Sequence, residues 1–226
     1  MRIQSIRLLT KNVEQLQQFY AQLLGLPLLD RSKDSFTVLA GKSYLTFEQT
    51  EDADENPYYH FAFDIPQNKM DEAINWLSSK KISLNLLPDH SYKTYSKTWD
   101  ATSIYFDDPS GNIIEFISRH SLINEVNTSF SGMSILNISE IGLVVHDVTS
   151  TMEFLKSNLK LDAYKNNYNS FAAVGDENGL FILAAHERVW FGSDKKADIF
   201  RTEVTIEGGD KGTSYLGSYP YKITIK

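Results

Sequence analysis

Apolar and polar positions along this chain follow two periods that alternate in a repeating order. Ile3, Ile6 and Leu8 mark an opening strand. Val13, Leu16, Phe19, Tyr20, Leu23 and Leu24 then recur at the spacing of one helix face. Asn12 stands where an N-cap belongs, and Gly25 where a helix stops. Two short strands follow, Phe36–Ala40 and Tyr44–Phe47, turned at Gly41-Lys42, and an acidic loop over 51–56 closes the unit. The order then restarts. Tyr58–Ile65 alternates as a strand, and Met70, Ala73, Ile74 and Leu77 predict a second amphipathic helix. Leu84–Leu87 reads as a strand. Ser103–Phe106 and Ile113–Ile117 read as a hairpin turned by Asp107-Asp108-Pro109-Ser110-Gly111-Asn112.

The polar, aperiodic stretch 121–133 predicts a linker. Beyond it the first unit returns. At a fixed offset of 135, Ile6, Leu8, Val13, Phe19, Leu24, Leu26, Ser35 and Phe36 meet identical residues: Ile141, Leu143, Val148, Phe154, Leu159, Leu161, Ser170 and Phe171. Asn12 falls on Asp147, another good cap. The last stretch reads as reduced. Phe200–Ile206 and Lys222–Ile225 alternate, but the Gly-rich Glu207–Gly212 stands where a helix would belong.

Composition narrows the partners. Lys and Arg number 22 and Asp and Glu 29, a net charge of −7 that argues against nucleic acid. There is no cysteine, which removes disulfides, thiolate-bound zinc, iron–sulfur clusters and a cysteine nucleophile. Any metal here must use imidazole and carboxylate ligands. No apolar run approaches the roughly 18 residues of a membrane span, and no secretory leader is visible at the start. The expectation is a cytoplasmic protein without a membrane partner. Metalloprotease, serine-hydrolase, phosphate-loop and dinucleotide signatures are absent from the sequence.

His60-Phe-Ala-Phe-Asp-Ile65 resembles the His-x-Ala-Phe-x-Val strand of the vicinal oxygen chelate superfamily, which contains glyoxalases, extradiol dioxygenases and bleomycin-resistance proteins. Asp108-Pro-Ser-Gly-Asn-Ile-Ile-Glu115 resembles its Asp-Pro-Asp-Gly-Asn-x-x-Glu hairpin, and Asn12 to Tyr20 followed by Leu24-Gly25-Leu26 is similar to its opening helix. The resemblance covers 1–120 well and 134–226 in part. It implies an α+β fold of paired βαβββ modules in curved mixed sheets. Two tandem domains are expected, 1–120 and a partly truncated 134–226, joined by the linker 121–133. It also implies a divalent metal (Fe, Mn, Ni or Zn) in the cup of the sheet, with an open coordination position for a small-molecule ligand.

Carried over residue by residue, the resemblance places His60 and Glu115 in ligand positions. The first-module histidine falls on Ser5 and an additional carboxylate near Thr46, neither a good divalent ligand. At the Ser5 position of the second domain stands Glu140, a minor candidate ligand, while Arg201 and Thr224 fall near the His60 and Glu115 positions there and make no metal set. Ser5 and Arg7 share one strand face and are candidate substrate-binding residues, Arg7 for an anionic substrate or for neutralising Glu115. Tyr95, Trp99 and Tyr105 are candidates for an aromatic wall. Two main readings follow. One is a metal-dependent enzyme of dioxygenase or glyoxalase/isomerase type, acting on vicinal oxygens with Glu115 as ligand or general base. The other is a metal-free binding protein of the bleomycin-resistance type. Either is compatible with a monomer or a homodimer. A degenerate scaffold is a third possibility.

Overall fold

The computed structural model describes residues 1–208 and 211–226, with side chains except at 166–168. Four units follow one another. The first is β1 (Arg2–Thr10), α1 (Val13–Gln17), a π-helical turn (Gln18–Leu23), β2 (Leu28–Arg31), β3 (Ser35–Ala40) and β4 (Ser43–Gln49). The second is β5 (His60–Asp64), α2 (Met70–Ser79), β6 (Thr94–Ser96), β7 (Ala101–Asp107) and β8 (Ile113–Arg119). The third is β9 (Asn137–Val145), α3 (Val148–Leu159), β10 (Ala163–Tyr168), β11 (Phe171–Asp176) and β12 (Gly179–Ala185). The fourth keeps only strands among its described residues: β13 (Thr202–Glu207), β14 (Gly212–Tyr215) and β15 (Tyr221–Ile225).

The repeat is visible in the bounds, since β9 is β1 displaced by 135 residues. Both caps form as expected. Asn12 accepts from the Gln15 amide at 3.0 Å and Asp147 from the Ser150 amide at 2.9 Å. Gly25 takes a left-handed φ of 71°, as the end of a helix asks. The first helix differs from the expected single α-helix, because its second half widens to π geometry. The strand expected at Leu84–Leu87 is a correction. Leu84 makes one isolated bridge to Phe106, and the place beside β7 belongs to Thr94–Ser96. Strand β2 carries no signal because all four of its residues are exposed.

The strands form two sheets, and the division of the chain at the linker does not divide the sheets. One runs β14-β15-β13-β1-β4-β3-β2, joining the first and fourth units; the other runs β10-β11-β12-β9-β5-β8-β7-β6, joining the second and third. The antiparallel pairs β1–β13 and β5–β9 make these joins. Between the sheets and helices lies a shared core that includes Leu8, Phe47, Phe61, Phe63, Phe116, Leu143 and Phe181. Burying each such side chain contributes roughly 1.5–3 kcal/mol. Strands β5 and β8 are buried on both faces, which explains their nearly continuous apolar sequences. Their second face, away from this core, lines a cup with Tyr105, Ile113, Val144, Ile182 and Trp190. No helix is long and apolar enough to cross a membrane among the described residues.

Candidate active site

Period-two alternation decides which side chains enter the cup. Phe61 and Phe63 of β5 point into the shared core, so His60 and Ala62 point the other way. By the same rule Ile114 and Phe116 send Glu115 into the cup, and Ile141 and Leu143 send Glu140 there. In register, Ala62 lies opposite Glu115 on one side and Glu140 on the other. Its single methyl leaves the space in which the two carboxylates converge. His60, Glu115 and Glu140 each offer a ligand atom, and these lie within 4.8 Å of one another. His60 Nε2 stands 3.5 Å from a Glu115 oxygen.

The turn before β8 fixes this register. Asp108 accepts from the amides of Ser110 and Asn112, from the Asn112 side chain at 2.7 Å and from the Tyr20 hydroxyl at 2.7 Å. Asn112 in turn accepts from the Tyr59 amide, locking the start of β8 to the start of β5. Gly111 supplies the left-handed φ of 81° that the turn requires. The Asp-Pro-Ser-Gly-Asn motif thus sets the position of Glu115 without entering the site.

The electrostatics are those of charge held out of water. Burial lowers His60 to about 4, so it is a neutral imidazole. Its Nδ1 lies 3.2 Å from the Ile113 carbonyl and donates to it, leaving the Nε2 lone pair facing the carboxylates. Burial first, and then the Glu140 carboxylate, push Glu115 up to about 8; hydrogen bonds from Ser103 and Tyr105 oppose the rise. Burial also raises Glu140, opposed by Arg119. Arg119 is itself almost wholly buried and donates from Nη2 to Glu140, with Nε 3.4 Å from Asp64.

The cavity above the three groups holds about 530 Å³. Trp99, Tyr105, Phe171 and Trp190 make its aromatic walls, and Tyr95 stands at the rim. Trp190 and Arg188 come from a strap, residues 186–200, between β12 and β13. Trp190 lies over the His60 ring with centroids 5.0 Å apart, and Gly142 makes room beneath it. The strap is tied down by Lys195, which donates to Asp107 and to the Gly111 carbonyl, and by Asn85, which donates to the Gly192 carbonyl at 2.8 Å.

The structure therefore brings together His60, Glu115, Tyr95, Trp99 and Tyr105. It does not bring Ser5 or Arg7 to them. Both lie on β1 of the other sheet, where Arg7 is exposed and pairs with Glu48 at 3.3 Å. Arg201, Glu203 and Lys222 continue that row of ion pairs. Thr46 is on the same sheet, hydrogen-bonded to Thr37. Glu140 is the candidate ligand to which sequence reasoning gave least weight. The offset of 135 pointed to it, but its partnership with His60 depends on the second and third units sharing a sheet. Trp190 and Arg188 carried no signal, since the strap lies outside the repeat.

These donors fit a divalent ion. One imidazole nitrogen and two carboxylates suit iron, manganese, nickel or zinc. A cation would also relieve the repulsion that raises Glu115. The three groups converge from adjacent strands onto an open cavity, which leaves room for a further ligand.

The fold is similar to that of a putative dioxygenase from Bacillus subtilis subsp. subtilis str. 168, with a TM-score of 0.65 and 14% identity, covering 100% of this chain and 85% of that one. It is similar also to a V278E mutant of glyoxalase I from Zea mays, with a TM-score of 0.60 and 14% identity, covering 99% and 91%. The Glyoxalase/Bleomycin resistance protein/Dioxygenase superfamily model matches residues 2–116, from β1 through the strand that carries Glu115. On that match the chain belongs to the Glyoxalase/Bleomycin resistance protein/Dioxygenase superfamily.

Proposed function

We propose that this protein is a metal-dependent enzyme acting on a small molecule with vicinal oxygens, with His60, Glu115 and Glu140 as metal ligands. The observation that carries the reading is the convergence of these three buried ligand atoms within 4.8 Å beneath an aromatic cavity. A bound divalent ion would act as a Lewis acid toward the substrate oxygens. The chain's own groups do the rest. Trp99, Tyr105 and Trp190 exclude water and orient a planar substrate. Tyr105 and Ser103 hold the Glu115 carboxyl by hydrogen bonds. Where no ion holds it, the raised Glu115 carboxyl can hold or release a proton at its oxygen, the property a general acid–base group needs.

One observation favours a second reading, metal-free binding of a small aromatic molecule in the manner of a resistance or sequestration protein. Arg119 already pairs with Glu140, and a protonated Glu115 adds no charge, so the two carboxyls can be accommodated without a metal ion. Calorimetric titration of chelator-stripped protein with Mn²⁺, Zn²⁺, Ni²⁺ and anaerobic Fe²⁺ separates the two. The enzyme reading expects one tight site per chain, lost in His60→Ala and in Glu115→Gln. Binding of none of these ions at that stoichiometry would overturn it in favour of the second reading.

A further inference from the structure

We infer that the cavity takes a ligand carrying an oxyanion, a carboxylate or phosphate on an apolar planar body, and that Arg188 is the residue that selects it. The inference rests on the reading of this cavity as the ligand site, and it is independent of whether a metal is bound. Arg188 is half-buried on the strap and lines the cavity that holds His60, Glu115 and Glu140. It lines also an adjoining outer groove of about 520 Å³, bounded by Leu86, Leu87 and Phe191.

A partly buried guanidinium ordinarily meets a carboxylate. Among the described residues Arg188 has no such ion pair. Among the described residues its guanidinium makes one hydrogen bond, from Nη1 to the neighbouring Val189 carbonyl at 3.2 Å. The remaining donors of the planar fork are held in place by stacking, with the guanidinium carbon 5.0 Å from the Phe171 ring centroid. The strap beneath it is pinned on its far side by Lys195 and Asn85, so the group is preorganised rather than free to swing to a surface partner.

The other cavity groups sharpen the class. Both ring nitrogens of His60 are already engaged, Nδ1 with the Ile113 carbonyl at 3.2 Å and Nε2 facing Glu115 at 3.5 Å, so the ring is not free to meet an anion. Arg119 lies beneath the lining rather than in it, paired with Glu140 and Asp64. Arg188 is thus the one cation among the lining residues. The aromatic walls favour a flat apolar body, so the matching ligand presents its oxyanion to Arg188 and its body to Trp99, Phe171 and Trp190. A charge-assisted contact of this kind gives discrimination of about tenfold to a hundredfold against a neutral analogue, with the lower end expected for a half-exposed guanidinium.

The test uses chelator-stripped, full-length protein titrated with benzoate, phenyl phosphate and benzamide, read by calorimetry and by tryptophan fluorescence. We expect at least one of the two anions to bind about tenfold more tightly than benzamide. Arg188→Gln removes that preference without changing benzamide binding, and Arg188→Lys restores part of it. Comparing benzoate with phenyl phosphate decides which oxyanion the site prefers. Equal binding of anions and benzamide, no anion binding up to the solubility limit, or a preference that survives Arg188→Gln overturns the inference. If Arg188→Gln does not fold, loss of the preference in the wild-type protein at high salt replaces it as the readout. A protein that binds anions but no metal keeps this inference and loses the enzyme reading; the reverse result does the opposite.

Discussion

Replacing Glu115 with Gln tests the electrostatics of the cup through stability. A carboxyl raised from 4.5 to about 8 stabilises the fold fully below its unfolded value. That contribution is lost as pH climbs through about 8, because the unfolded chain ionises first. His60 has the opposite sign. Its folded value is lowered from 6.5 to about 4, so its contribution is complete above 6.5 and lost as pH falls through 4. Asp64 and Asp108, raised to about 6, have lost theirs by then. Glu140 is raised in the same cup, so the window from 6.5 to 8 reports the Glu115–Glu140 pair, and the Gln variant removes the part that Glu115 contributes. Across it the metal-free wild type should lose about 1.4 kcal/mol per pH unit. Ionising Glu115 in its buried site costs up to about 5 kcal/mol in all. Gln keeps the shape and can still accept from Ser103 and Tyr105, but it does not titrate. Urea unfolding should then show the two proteins within about 1 kcal/mol of each other at pH 6, with the variant more stable by several kcal/mol at pH 9. A stability difference that stays constant from pH 6 to 9 would refute the argument.

Two further outcomes follow from the same neighbourhood. Arg119→Met keeps the volume and leaves Glu140 and Asp64 buried without a cation, so urea unfolding at pH 8 should show a loss of about 3–5 kcal/mol, partly recovered in acid; a loss under about 1 kcal/mol would mean the pair is inert. A Cβ at Gly142 would sit 2.8 Å from Trp190 and 3.1 Å from the His60 carbonyl. Gly142→Ala should therefore lift the strap, shift tryptophan emission to longer wavelength and weaken benzoate binding, and an unchanged spectrum would show that Trp190 does not depend on that gap.

The legible and illegible parts of this site have physical reasons. His60 and Glu115 stood out through the resemblance of their strands to the superfamily's motifs, and Glu115 also because a carboxylate among Ile113, Ile114, Phe116 and Ile117 is costly unless something uses it. Alternation puts Arg7 on the same strand face as Ser5, but it does not say which sheet that strand joins, and the strand joins the sheet without the cup. The β5–β9 pairing has no sequence signature beyond the repeat itself, and it alone makes Glu140 a neighbour of Ala62. The strap over 186–200 follows neither period, so Arg188 and Trp190 could be found only by the contacts they make. Strands β2 and β6 are short edges with exposed or half-exposed residues, where alternation has no buried face to report.

The nesting of one pair of units inside the other also orders events in time. Every strand of the sheet that carries the site lies between residues 60 and 185, whereas the other sheet needs strands from residue 2 to residue 225. As a chain emerges from its N-terminal end, β1 waits with an open edge until β13 arrives. Were β1 to take the vacant edge of β5 in that interval, its length would match that of β9 and its apolar pattern would fit. Ser5 would then stand where Glu140 belongs, producing a well-paired sheet with one carboxylate missing. Accurate assembly of the cup therefore requires β5 to pair with β9 and not with β1.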